Sequence, residues 1–483
     1  MIELNNTFLL LALHAIMALL SAGHALLHKR DPRAALGWIA VSLAYPLVGP
    51  ILYYLFGINR LQTRAHLLKG APQKRLIIDQ ENSDQQYAEH EQILPSALID
   101  RPELAVMAAS STAVTHRPLV ENNSLQPFFD GEGAFAAMLK SIAEARHSVS
   151  LASYIFATDK TGRAFITALN DARLRGVEVR VLLDGIGELY NFPRVGRLLK
   201  KCGVRMARFL PPRLLPPSVH INLRNHRKLL VVDGNVAFTG GMNISDRQLR
   251  NQPGNSNETA DIHFQMTGPI IGQLQQVFDE DWAFAVGKNI PYHVETAKST
   301  GNAICRVITD GPNEDLGKLT MIMTSAVALA DNRVAIMTPY FLPPATLINA
   351  LQAAALRGVE VNVILPQRSN QPPVHWATRN MLWELLQFGV HIYYQPPPFA
   401  HSKFLLIDDD YAHIGSANLD PRSLRLNFEI VVEIFDRNFV SIISEHFERV
   451  KSTATEETLA GVDGRSLLIR IRDAIAWLFS PYL

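Results

Sequence analysis

The chain opens on two long apolar runs. Residues 7–27 (TFLLLALHAIMALLSAGHALL) contain no Lys, Arg, Asp or Glu, and about 20 apolar residues in a helix cross the hydrocarbon core of a bilayer. After a polar break at His28 to Arg33 comes a second run, Ala34 to Phe56, with Trp38 near one end and Tyr53 and Tyr54 near the other, as interfacial aromatics are placed. Pro46, Gly49 and Pro50 predict a kink or a re-entrant turn in this run. Residues 58 to about 115 turn polar and read as a connector with some helix. Regular patterning resumes near Asn123. A helical spacing in PFFDGEGAFAAMLKSIAEARHSV leads into the buried strand VSLASYIF, then a helix feeds a second strand in FITALNDARLRGVEVRVLLDG. RVAIMTPYF and LINALQAAALRGVEVNVILP repeat that alternation, down to an identical LRGVEV at Leu174–Val179 and Leu356–Val361. The pattern predicts two structural repeats of one α/β unit.

Within the repeats one short pattern occurs twice, as HRKLLVVD from His226 to Asp233 and HSKFLLID from His401 to Asp408. Both read HxK(x)4D, and both are followed by a turn, a short apolar run and an Asn, at Asn243 and Asn418. Side chains alternate along a strand, so each His shares a face with its Lys while the Asp has opposite parity. Two such units related by a pseudo-twofold axis place two His, two Lys and two Asn around one small anion, a phosphate-sized pocket that needs no metal.

Composition changes the picture in two places. With 46 basic and 45 acidic residues, no global field favours nucleic acid. Cys202 and Cys305 lie far apart with no metal-ligand spacing, which predicts buried free thiols. The charges beside the apolar runs bias orientation. Lys29, Arg30 and Arg33 stand in the hairpin, against Arg60, Arg64, Lys69, Lys74 and Arg75 after it, which places the large domain in the cytoplasm. The absence of Lys or Arg before Lys29 argues against a cleaved signal peptide.

HRKLLVVDGNVAFTGGMNISD and HSKFLLIDDDYAHIGSANLDPRS resemble the paired HKD motifs of the phospholipase D superfamily. WIAVSLAYPLVGPILYYLFGINR and the ending LFSPYL are similar to the N-terminal module and tail of bacterial cardiolipin synthases. The resemblance implies two pseudo-symmetric phospholipase D-like α/β/α repeats with mixed sheets, preceded by a transmembrane helix pair. On that reading residues 1–58 are the membrane anchor and 59–115 the connector. The repeats then span 116–290 and 300–450, and an amphipathic helix 462–483.

The same resemblance implies condensation of two phosphatidylglycerol molecules to cardiolipin and glycerol at the bacterial inner membrane, through a phosphohistidine and with no cofactor or metal. It gives catalytic roles to His226, Lys228 and Asp233 and to His401, Lys403 and Asp408, with His226 as nucleophile and His401 as acid/base. Lys228, Lys403, Asn243 and Asn418 would hold the nonbridging oxygens. Asp261 and Glu429 would each orient one imidazole, with Glu258 a rival to Asp261. Trp282 in FDEDWAF has a core or boundary position as its plain reading. In RFLPPRLLPPSVHINLRNHRK, the apolar Phe209, Leu210, Leu214 and Leu215 interleave with Arg208 and Arg213. With YYQPPPF before the second motif, they are either buried irregular loops or lipid-facing lips. The tail puts Leu467, Ile471, Ile475 and Leu478 on one helical face.

Three other functions share parts of this pattern. A phospholipase D hydrolase, or a transferase that uses phosphatidylethanolamine, would keep every catalytic residue. A membrane-anchored nuclease lacks support from charge and stacking aromatics. A noncatalytic lipid-binding scaffold would have no use for two intact motifs.

Overall fold

The computed structural model describes residues 2–29, 32–45, 47–57, 95–212, 223–250, 258–287, 298, 301–312 and 316–480. The chain divides into two compact units, residues 1–71 and 72–483. In the first, α1 (Ile2–His28) packs on α2 (Pro32–Ala44), followed by α3 (Val48–Leu52) and a π-helical turn at Tyr53–Gly57. α2 stops before the proline-rich stretch, and Leu47, just before α3, takes a left-handed φ of 59°. The turn is tied back to α1: the Tyr53 hydroxyl lies 2.7 Å from His24 Nδ1, and Leu47 N donates to His14 Nδ1 at 3.2 Å. Among the described residues no helix is long and apolar enough to cross a membrane. The second apolar run is thus a broken helix rather than one continuous span.

The second unit holds the repeats. In the first half come α4 (Ser96–Ile99), α5 (Pro102–Thr115), β1 (Val120–Phe128), α6 (Gly131–Glu144), β2 (Ser148–Ser153), α7 (Lys160–Leu174), β3 (Glu178–Asp184), α8 (Val195–Lys201), β4 (Arg205–Phe209), β5 (Arg224–Asn225), β6 (Leu229–Val232), β7 (Val236–Gly240), β8 (Thr259–Ala260), β9 (His263–Thr267) and α9 (Ile270–Val286). The second half has β10 (Ala303–Asp310), α10 (Lys318–Ala328), β11 (Arg333–Met337), α11 (Ala345–Leu356), β12 (Glu360–Pro366), α12 (Pro372–Leu386), β13 (His391–Gln395), β14 (Phe399–Ala400), β15 (Phe404–Ile407), β16 (Tyr411–Gly415), α13 (Pro421–Arg425), β17 (Asn427–Phe435) and α14 (Arg437–Lys451). It closes with β18 (Thr455–Glu457), α15 (Leu459–Asp463) and α16 (Leu467–Leu478).

One mixed sheet runs through both halves in the order β18-β13-β12-β11-β15-β16-β17-β10-β1-β9-β7-β6-β2-β3-β4. Its two wings are mirror sequences of equivalent strands joined where β1 pairs antiparallel with β10, so the repeat predicted from periodicity is the architecture. Strands such as β6, buried at every residue, carry apolar side chains on both faces, Leu229 and Val231 into one core and Leu230 and Val232 into another, because both faces are covered. The two LRGVEV copies end α7 and α11, where Gly176 and Gly358 take left-handed φ values of 91° and 93°, a geometry that favours glycine beyond a helix C-terminus. Phe165 and Leu169 of α7 and Leu351 of α11 bury fully, each contributing on the order of 1.5–3 kcal/mol.

α9 and α14 fill a core shared by the two halves, into which β7, β9, β16 and β17 also project. Trp282 belongs to that core, stacked on Phe278 at 5.9 Å, as its plain reading expected. The connector is only partly separate, since Leu98, Leu104, Met107 and Ala108 bury in the core of the second half. α16 lies on α12. The residue it buries completely is Asp473, which accepts from Arg465 at 2.5 Å and Arg472 at 2.6 Å. Its apolar stripe faces outward, with Leu467 70% and Leu478 67% exposed.

Candidate active site

The motif histidines are placed by two very short strands that cross between halves. β5, just before His226, pairs in parallel with β17 of the other half, with Asn225 opposite Phe428. β14, just before His401, pairs with β8, with Ala400 opposite Ala260. One step further along each ladder the histidine meets an acid. His226 Nδ1 lies 3.0 Å from both carboxylate oxygens of Glu429, and His401 Nδ1 lies 2.7 Å from Asp261 Oδ2. Each half therefore supplies the carboxylate for the other half's imidazole. Glu258, the rival, contributes its backbone carbonyl to Phe399 N.

Both carboxylates are fully buried or nearly so. Burial alone would raise their pKa values, but His401 and Lys403 hold Asp261 below the ordinary value, and His226 and Lys228 hold Glu429 below it. Glu429 also accepts from Ser416 Oγ at 2.5 Å and from Asn427 Nδ2 at 3.2 Å. The residue matching Ser416 in the first half is Gly241. A Cβ there would lie 2.3 Å from Asp261 Oδ1, so the glycine leaves room for the shorter acid's own approach.

Burial also acts on the cationic side. It pushes both imidazoles down to about 4, against the upward pull of their carboxylates and helped by the nearby lysines. It pushes Lys228 down to about 7 and Lys403 down to about 8. The four groups perturb one another across the halves, since Lys403 acts on His226 and Lys228 acts on His401. Lys228 Nζ donates to His226 O at 2.7 Å, and Lys403 Nζ likewise to His401 O. Two neutral imidazoles between two partly charged ammoniums form a site whose unfavourable charge an anion would relieve.

Asp233 and Asp408 depart from the roles expected of them. Each sits in a turn at the far end of a four-residue strand, with left-handed φ values of 53° and 50°. Asp233 accepts from the N–H groups of Arg146, His147 and Ser148, and Asp408 from those of Asp331, Asn332 and Arg333. They secure the strand ends and do not join the imidazoles, as their opposite parity required. Asn243 accepts from Ile155 N at 3.2 Å, and Asn418 Nδ2 donates to Ser423 Oγ at 3.1 Å.

Of the two readings of the first stretch, its described residues take the buried one. Phe209 is 1% exposed and packs between Phe284 and Phe428, while Arg208 is committed to buried Glu188 at 2.5 Å. Phe209 belongs to the core, Arg208 stays partly exposed beside it, and Arg213, Leu214 and Leu215 lie outside the described residues. Phe399 stands 5.7 Å from His401, so the second stretch does reach the site. An apolar rim exists elsewhere, on the loop after β3, where Leu189, Tyr190 and Phe192 are exposed.

Several contributors carry little sequence signal. Tyr154 meets His226 edge-on at 5.0 Å from the end of β2. Arg227, inside the first motif, ties Glu429 O at 3.0 Å to Asp281 Oδ1 at 2.7 Å. Aligning GG with GS after the motifs was the one available pointer to Ser416. Among the described residues no group of three or more His, Cys, Asp or Glu is arranged to hold a metal.

The duplicated wings and the crossed imidazole–carboxylate pairs define a phospholipase D-like protein. The fold is shared with a phosphatidylserine synthase from Haemophilus influenzae, at a TM-score of 0.59 and 12% identity, over 78% of this chain and all of that one. The sequence profile described as "Cardiolipin synthase, PLD-like domain" matches residues 138–282 and 323–451, and one described as "Phospholipase_D-nuclease N-terminal" matches 15–57. The major cardiolipin synthase of Bacillus subtilis is 31% identical over 466 residues, covering 94% of this chain and 95% of its own. Cardiolipin synthase A of Pseudomonas putida is 31% identical over 479 residues, covering 98% and 97%. The chain belongs to the cardiolipin synthase family.

Proposed function

We propose that the protein is a phosphatidyltransferase that condenses two phosphatidylglycerol molecules into cardiolipin and glycerol. The observation that carries this reading is the pair of buried imidazoles, each backed by a carboxylate from the other half and flanked by a lysine, in a chain of this family. One imidazole, neutral, attacks phosphorus through Nε2; the other takes up a proton as the anionic lipid binds and enters the step as imidazolium, so the glycerol oxygen leaves with that proton. The second imidazole then takes the proton of the incoming lipid hydroxyl as its oxygen displaces histidine from phosphorus. Either order of the two histidines fits these steps. Glu429 and Asp261 hold the tautomer that presents Nε2 and stabilise the positive charge each ring acquires. Lys228 and Lys403, with the amides of Asn243 and Asn418, would stabilise the nonbridging oxygens, each donor by about 3–4 kcal/mol on the scale of oxyanion holes.

One phosphodiester replaces another, so the free-energy change is small and the outcome depends on excluding water. A membrane-bound site favours a lipid alcohol over water. Support for that placement comes from the N-terminal helices, where Leu19, Leu20, Leu26, Leu27 and Leu36 are 67–79% exposed. The outward apolar stripe of α16, with Arg470 exposed beside it, suits an anionic lipid surface. The large domain then lies on the cytoplasmic side of the bacterial inner membrane. The test is to quench the protein during turnover on phosphatidylglycerol and map the adduct. A phosphatidyl group on His226 or His401 is expected, and label on neither during active turnover would overturn the covalent route.

A further inference from the structure

The two halves agree at the imidazoles and differ beside them. Two residues before each histidine stand Arg224 and Phe399. On the His401 flank the surroundings are aromatic: Phe399 lies 5.7 Å from His401 and 6.4 Å from Tyr340, ring centre to ring centre. On the His226 flank Arg224 Nη1 donates to the hydroxyl of Tyr154 and, at 3.1 Å, to that of Tyr190. Its guanidinium sits 5.7 Å from the centre of the Tyr154 ring, and Lys228 Nζ sits 5.5 Å from the same ring. In the second half the position of Tyr154 is taken by Pro339, as the equivalent bridges of Phe156 and Phe341 show.

Tyr190 is 57% exposed and shares its loop with Leu189 and Phe192, the latter 87% exposed. The cluster thus runs from an apolar rim down to a buried histidine, on one side only.

Joining two phosphatidylglycerol molecules brings two phosphodiesters to the site. One reacts, and the paired lysines account for it. The other belongs to the acceptor lipid, stands a glycerol unit away from the attacking hydroxyl, and keeps all its bonds. We propose that Arg224, positioned by Tyr154 and Tyr190, is the subsite for this unreacted phosphodiester, with Leu189, Tyr190 and Phe192 against the acceptor's acyl chains. A planar fork of donors suits a phosphodiester better than a point charge does. In the step served, the acceptor oxygen forms a bond to phosphorus, the phosphorus–nitrogen bond to histidine breaks, and the hydroxyl proton passes to the other imidazole. This inference rests on the transferase reading above.

The test supplies phosphatidylglycerol liposomes with isotopically labelled glycerol and follows two products. Cardiolipin needs an anionic lipid acceptor, whereas exchange of labelled glycerol into phosphatidylglycerol uses the same donor and intermediate with a neutral one. Arg224→Gln is expected to lower cardiolipin formation about tenfold or more, the scale of one hydrogen bond to a charged group, while exchange stays close to wild type. Arg224→Lys should recover part of the loss. An equal fall in both products would assign Arg224 to the donor or to folding and overturn the proposal, as would no change in either. Wild-type protein that does neither reaction would instead overturn the transferase reading underneath.

Discussion

Replacing Glu429 by Gln removes a charge while keeping the side chain's shape. In the resting site His226 is neutral, because burial holds its pKa near about 4. During the reaction the ring becomes positive, whether it bonds to phosphorus or carries the transferred proton. The carboxylate, 3.0 Å away and inaccessible to water, therefore acts mainly on the transition state. Breaking one side of a buried charge pair costs about 3–5 kcal/mol. Gln keeps one acceptor, but its amide nitrogen must face Ser416 or Asn427, both of which donate to Glu429. A loss of about 3–4 kcal/mol is expected, on the order of 10²–10³ in kcat with KM little changed. The assay is initial-rate cardiolipin formation, paired with nitrogen NMR of labelled histidines. Loss of the raising carboxylate moves the His226 pKa further down and leaves His401 in place. A fall in kcat below about tenfold, or a shift at His401 with none at His226, would refute the crossed pairing.

Other perturbations follow from the same geometry. Gly241→Ala places a Cβ against the Asp261 carboxylate and should reduce kcat through His401 by about a hundredfold, with the fold retained by circular dichroism. Asp233→Asn should cost about 1–3 kcal/mol of stability, seen as a lower melting temperature, while kcat per folded molecule is preserved. A comparable loss of kcat would restore the chemical role expected from the motif. For pH, Lys228 and Lys403 are charged below about 7 and about 8, and the imidazoles are neutral above about 4. Accordingly kcat/KM for phosphatidylglycerol should fall as pH rises, because one imidazole must take up a proton to act as acid and the lysines lose theirs, and should fall again below the histidine values, where the attacking imidazole is charged as well. A profile flat from pH 6 to 10, unchanged in Lys228→Met, would contradict the lysines' part in binding the free anion.

How much of this was legible in the sequence depends on range. The repeat was legible because strand and helix periods are local, and LRGVEV fixed its register. His226, Lys228, His401 and Lys403 were legible from parity within one strand. Asp233 obeyed the same parity, and its opposite sense already separated it from the site before three backbone N–H groups were seen to claim it. The crossed pairs were not legible. Glu429 and His226 are 203 residues apart and Asp261 and His401 140 apart, and two-residue strands such as β5 and β14 leave no periodic trace. Phe209 and Arg208 stayed undecided for a related reason. An apolar–basic alternation suits a lipid rim and also a buried strand end, and only the tertiary partner Glu188 decides between them. The exposed rim at Leu189, Tyr190 and Phe192 escaped notice because a short apolar stretch near a turn resembles any buried loop.

The central claim is transfer from one lipid to another at the paired histidines. It is tested most directly by reconstituting the purified protein in phosphatidylglycerol liposomes with excess chelator, and measuring cardiolipin by mass spectrometry together with released glycerol. Cardiolipin and glycerol in equal amounts, lost together in His226→Ala and His401→Ala, are the expected result. Phosphatidic acid with glycerol would mean that water takes the phosphatidyl group and would contradict it, and so would undiminished cardiolipin from either histidine variant.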